Sequence, residues 1–187
     1  MDGGRIRITH DEPLRRRRLA VVLRAVLFIP HAGVITLWSL AAAVVVAIAW
    51  ALLLVLGRLP RGLHRFLAAY VRYVGQATAW FLLVSGRYPR PLRARAHPFV
   101  VDIPERTRQP RLVTLFRVPL AIPALVLASA LRVVLSLSAI AAWFAGVALG
   151  RTTAGLEELG RFCLRYELET VGYVLLLTAR YPRLAPG

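Results

Sequence analysis

Residues 87–90 read Arg-Tyr-Pro-Arg, and residues 180–183 read Arg-Tyr-Pro-Arg again. The offset that superimposes them, 93 (180 − 87), holds along the chain without a gap. Leu56-Gly57-Arg58 falls on Leu149-Gly150-Arg151, Gly62-Leu63 on Gly155-Leu156, and Arg72-Tyr73 on Arg165-Tyr166. Upstream, Arg24 falls on Arg117, Ile29-Pro30 on Ile122-Pro123, and Trp50 on Trp143. An internal period has to be recognised before any single element is read, because it sets the architecture. Here it divides the chain into two similar units, residues 1–94 and 95–187, each with the same organisation.

The composition puts both units in a membrane. Of 187 residues 58% are hydrophobic, and the mean hydropathy of +0.60 is too high for an ordinary soluble domain. The net charge of +16 comes from 25 basic and 9 acidic residues, and every basic residue is arginine. Such a balance points to nucleic acid or to an anionic membrane surface. The arginines cluster beside apolar segments rather than on a polar module, so the expected partner is the lipid bilayer and its anionic lipids, not nucleic acid. A single cysteine, Cys163, excludes an internal disulfide and reads as a small packed residue.

Each unit has the same succession of segments. Arg5-Ile6-Arg7-Ile8 and Phe99-Val100-Val101-Asp102-Ile103 read as short strands that can pair across the repeat. Basic amphipathic stretches follow, Leu14 to Ile29 and Arg111 to Ile122, of the kind that lies on a membrane surface. A signal peptide is not expected, because Arg24 and Pro30-His31 interrupt the first apolar run and the same pattern recurs internally. The uncharged runs Leu40 to Leu56 and Val133 to Leu149 come next. At about 17 residues, roughly 26 Å of helix, each is near the lower limit for crossing a bilayer. Gly57 and Gly150 read as helix stops. The last segments, Leu63 to Val84 and Leu156 to Thr178, carry helical apolar spacing with a charged side; Glu157, Arg161, Arg165 and Glu169 follow at steps of four.

Hydropathy alone makes those last segments interfacial, whereas charge topology makes them cross. The tail before the first span holds seven arginines and the segment between the repeats holds eight, and both belong on the cytoplasmic side. They share a side only if each repeat crosses an even number of times. The expectation is therefore an all-α integral membrane protein, a tandem-duplicated helical bundle. It has four membrane helices, basic amphipathic interfacial helices and short N-terminal strands in each repeat. It is multi-pass in the inner (plasma) membrane, with both termini cytoplasmic and parallel repeats related by an axis along the membrane normal. This leaves an intramembrane charge cluster of Arg72, Arg165, Glu167 and Glu169, with Arg72 expected to pair with Glu169 or Glu167 across the axis.

With both copies laid out, the chain resembles a bacterial membrane family known as a domain of unknown function, DUF4389. The matching residues are Ile29-Pro30-His31, Ile48-Ala49-Trp50, Gly57-Arg58-Leu59-Pro60-Arg61-Gly62, Arg72-Tyr73 and Arg87-Tyr88-Pro89. In the second copy they are Ile122-Pro123, Ile140-Ala141-Ala142-Trp143, Gly150-Arg151, Arg165-Tyr166 and Leu176-Leu177-Thr178-Ala179-Arg180-Tyr181-Pro182. That copy departs at Ala124, where the first has His31, and at Thr152-Thr153-Ala154 in the turn. The resemblance covers nearly the whole chain and implies a membrane location, not an activity.

Chemistry-bearing patterns are sparse. His10, His31, His64 and His97 are scattered without metal-ligand spacing, no serine sits in a nucleophile elbow, and no glycine-rich phosphate loop follows a strand. No metal, cofactor or catalytic set is expected. The Arg-Tyr-Pro motifs read architecturally, with Tyr as interfacial anchor and Pro as helix stop, or as a lipid-headgroup binding surface built from Arg87, Arg90, Arg180 and Arg183. The leading expectation is a non-catalytic membrane protein, a scaffold or accessory subunit with a membrane-protein partner. A small transporter or channel using the Arg/Glu cluster is the alternative, and a lipid-modifying enzyme the third reading.

Overall fold

The computed structural model describes residues 7–9, 23–85, 88, 100–104, 109–149 and 153–184. In chain order they form strand β1 (Arg7–Thr9), helix α1 (Arg24–Leu56), helix α2 (Arg61–Phe81), strand β2 (Val100–Asp102), the single turn α3 (Arg111–Leu115), helix α4 (Arg117–Leu149) and helix α5 (Ala154–Val174). The long helices α1 and α4 have 33 residues each, and α2 and α5 have 21 each.

Helices α1 and α4 are about 50 Å long. The basic stretch from Arg117 to Ile122 is not a separate surface helix; it is the first part of α4, which runs through Pro123 just as α1 runs through Pro30. In apolar surroundings a helix keeps its internal hydrogen bonds because nothing else there offers partners. Windows of 31 residues (Val26–Leu56, mean hydropathy 2.7) and 32 residues (Arg117–Ala148, mean hydropathy 2.2) are long and apolar enough to cross a membrane. Only 17% and 22% of an 18-residue apolar window within each of these helices is buried. Helices α2 and α5 do not reach that hydropathy, so two of the four expected membrane helices have the composition for it among the described residues.

Each long helix folds back on a short one. Gly57 ends α1 with φ +66°, a left-handed backbone that glycine adopts without strain, and its N–H donates to Leu53 O at 2.8 Å. The chain then reverses. Arg24 lies beside Trp80 and Ser85, His31 beside Tyr73, and Trp38 beside Phe66, so α1 and α2 are antiparallel. Helices α4 and α5 repeat this with Arg117 beside Tyr173 and Leu135 beside Gly160. Beyond each short helix the chain turns at a leucine with positive φ, Leu83 (62°) and Leu176 (63°). The left-handed conformation costs a leucine roughly 1–2 kcal/mol. Both side chains are fully buried, which returns about 1.5–3 kcal/mol, so burial decides the residue.

The two repeats meet about a pseudo-two-fold axis that runs across the helices. β1 pairs antiparallel with β2 in the register Arg7↔Asp102, Ile8↔Val101, Thr9↔Val100; the sequence suggested the pairing but neither its direction nor its register. Ile8 and Val101 are equivalent positions, so the axis passes between them. It passes next between Gly75 and Leu168, again equivalent: a Cβ on Gly75 would lie 3.0 Å from Leu168 Cδ1 and 3.1 Å from Val101 Cγ2. Toward the carboxyl end of α2, Val84 meets Gly160, near the amino end of α5. Helices α2 and α5 therefore run in opposite directions, and so do α1 and α4. This corrects the expected parallel repeats. Charge counting fixes only the parity of crossings in a spanning arrangement, whereas packing at Gly75 fixes direction. On α2, Phe66, Tyr70, Tyr73 and Trp80 face α1, while Arg72 and Gly75 lie on the other side, toward β2 and α5.

Candidate functional site

The most constructed polar features are two buried guanidiniums at equivalent positions. Arg24 and Arg117 are 4% and 3% exposed, at the starts of α1 and α4. Arg117 donates from one terminal nitrogen to Tyr173 O at 2.6 Å and from the other to Gln109 Oε1 at 2.6 Å, and lies over the Tyr173 ring. Gln109 in turn donates to Leu176 O at 2.8 Å. Arg24 donates to Trp80 O and to Ser85 O at 3.2 Å, and lies over the Trp80 ring. The last carbonyls of a helix have no partner within it and carry its negative end, so a cation there is doubly favoured. Each arginine closes the carboxyl end of the short helix in its own repeat. The sequence placed both on basic stretches at the membrane surface and counted them among the cytoplasmic arginines; instead they are buried against helix ends. Their signal was a charge interrupting an apolar run at the same place twice.

The predicted charge cluster divides. Glu167 and Glu169 take partners other than Arg72: Glu167 pairs with Arg132 of α4, and Glu169 lies 4.0 Å from Arg165 Nε and accepts from the Arg183 N–H at 3.3 Å. Arg72 donates from Nε to Val101 O at 3.2 Å, tying α2 to the ribbon. The expected pairing fails because Glu167 meets Arg132 of α4 and Glu169 meets Arg165 of α5, while Arg72 faces β2. Of the expected headgroup residues, Arg180 and Arg183 are exposed in the segment after α5; Arg87 and Arg90 lie outside the described residues. The basic stretch 14–22 lies outside them too.

The first repeat also holds an aromatic cluster of which the second keeps the Tyr173–Tyr181 contact, equivalent to Trp80–Tyr88, but not the histidine. His31 Nδ1 is 2.6 Å from Tyr73 OH, with Trp80 and Tyr88 packed edge-on or tilted against the imidazole and Trp38 stacked on Tyr73. The equivalents of His31 and Trp38 are Ala124 and Leu131. A cavity of about 290 Å³ lies between Arg24, Leu82 and Leu83 on one side and Ser136, Ile140 and Trp143 on the other. Cys163 is buried, and burial pushes its thiol pKa up, away from reactivity. Among the described residues no group of three or more His, Cys, Asp or Glu side chains could hold a metal ion.

No curated protein and no solved structure matches the chain. The family model described as domain of unknown function (DUF4389) matches it twice, over residues 18–93 and 111–184. These matches take in the long helix, the short helix and the buried arginine of each repeat, and the chain belongs to that family, as two tandem copies of its domain.

Proposed function

We propose that this is a non-catalytic membrane protein, a scaffold or accessory subunit that sits in the inner (plasma) membrane with both termini cytoplasmic and contacts anionic lipid headgroups through arginine. The observation that carries it is the apolar surface of α1 and α4, most of which is left exposed among the described residues. Val26, Ile29, Leu37, Leu40 and Val44 on α1, and Val118, Val126, Val133, Leu137 and Phe144 on α4, are exposed. Uncovered surface of this extent needs lipid or a partner. Exposed Arg58, Arg61, Arg180 and Arg183 supply cations beside it, and guanidinium forks match phosphate geometry. The groups that would do chemistry are engaged structurally: His31 with Tyr73, Glu167 with Arg132, Glu169 with Arg165. Each carboxylate of the cluster has an arginine partner, which weakens the transporter reading, although Glu167 Oε2 is buried without a hydrogen-bond partner among the described residues.

Vesicle flotation tests the proposal. The purified protein should associate with phosphatidylglycerol vesicles several-fold more than with phosphatidylcholine vesicles, and Arg180→Ala with Arg183→Ala should reduce the difference. Equal association with both vesicle types would remove the anionic headgroup from the proposal.

A further inference from the structure

We infer that the protein lies flat in one leaflet: α2 and α5 run parallel to the membrane plane, the β1–β2 ribbon faces the cytoplasm, and neither repeat crosses. The inference rests on the membrane reading above and adds orientation to it. It starts from the direction of the pseudo-two-fold axis. Because that axis passes between Ile8 and Val101 and then between Gly75 and Leu168, it is perpendicular to α2 and α5. There are two ways to place such a body in a bilayer. If the short helices stand along the normal, the axis lies in the membrane plane and the repeats are inverted. If the short helices lie in the plane, the axis is the normal and both repeats present the same side.

Standing upright conflicts with what lies halfway along α2. The chain leaves α2 at Ser85, packs Val101 against Gly75 near the middle of the helix, and reaches the opposite end at Gln109, whose N–H donates to Gly57 O at 3.1 Å. Upright, this route would carry a two-stranded ribbon through the hydrocarbon. An open ribbon has outer backbone groups with no strand to bond them, and lipid supplies none. Asp102, exposed, would sit near mid-depth. Lying flat puts the ribbon and Asp102 in water beside anionic headgroups. It leaves α1, on the far flank of α2 from the ribbon, and its counterpart α4 to enter the leaflet, where apolar surface on every side is an advantage. It also brings Arg24 and Arg117, at opposite ends of the molecule, to the same depth, and so satisfies the arginine distribution with no crossing at all.

The two turns that follow α1 and α4 separate the arrangements. Arg58 and Thr153 are exposed in those turns, at opposite ends of the molecule. In full-length Cys163→Ala protein, Arg58→Cys and Thr153→Cys variants are labelled with a membrane-impermeant maleimide, before and after permeabilisation, beside an N-terminal tag probed likewise. Lying flat, both turns react only on the side where the tag is found. One turn reacting on each side means inverted spanning repeats, both reacting opposite the tag means parallel spanning repeats, and either result overturns the inference. Trypsin added to spheroplasts of the wild-type chain gives a second reading that needs no variant: no cut after Arg58 or Arg61 is expected, and a cut at either overturns it. Release of the chain by alkaline carbonate is a separate outcome, which removes the membrane reading itself.

Discussion

The buried arginines are where a single side chain does most for this fold. A charged donor on a carbonyl contributes about 1.5–3 kcal/mol, and leaving a buried acceptor unmatched costs about 1–3 kcal/mol. Arg117 serves Tyr173 O and orients Gln109, which serves Leu176 O, so one residue governs two carbonyls at the end of α5. Arg117→Leu should therefore lower stability by about 3 kcal/mol, read as a drop in melting temperature in detergent. Arg117→Lys should recover only part of it, because an ammonium cannot hold Tyr173 O and Gln109 in one plane. A lysine variant as stable as wild type would mean that charge alone matters there. Gln109 and Trp80 were not legible as partners, because nothing local to their sequence fixes which carbonyl or cation they meet.

At the scale of elements, the seam between α2 and α5 is asymmetric where symmetry would fail. Two large residues cannot both occupy a position on the axis, and here Gly75 receives Leu168. Duplication within one chain permits this, since each copy varies alone. Gly75→Leu should cost about 1–3 kcal/mol through overpacking against Leu168 and Val101. Leu168→Gly should cost a comparable amount through the cavity it leaves. The exchanged pair Gly75→Leu with Leu168→Gly should lie well above the sum of the two losses, and additive losses would show that the axis does not pass there. The helices themselves were legible in the sequence: Gly57 stands as the stop read there, the two short strands pair though the first begins at Arg7, and of the charge ladder on α5 the Arg165–Glu169 step is present while Glu157 is buried. The joining of Arg117–Ile122 to the long apolar helix was not, because a proline preceded by a basic stretch reads locally as a boundary.

For the whole molecule, attachment to the membrane should be hydrophobic rather than ionic. Headgroup contacts through exposed arginines are screened over roughly 3 Å at molar salt, whereas burial of apolar helix surface is not. Molar salt should thus leave the chain in the membrane fraction, and only detergent should release it. Recovery of soluble monomer after a salt wash would place the arginines, not α1 and α4, in charge of binding.

The sequence by itself determined the duplication and two helices apolar and long enough to cross a membrane, because each depends on composition or on spacing within one segment. It did not determine that the repeats run in opposite directions, nor that Glu167 and Glu169 belong to Arg132 and Arg165 rather than to Arg72. Those were decided by which residues the axis brings face to face. A glycine at 75 lets α5 and the ribbon approach α2 from one side, and that contact exists only once both copies are folded together.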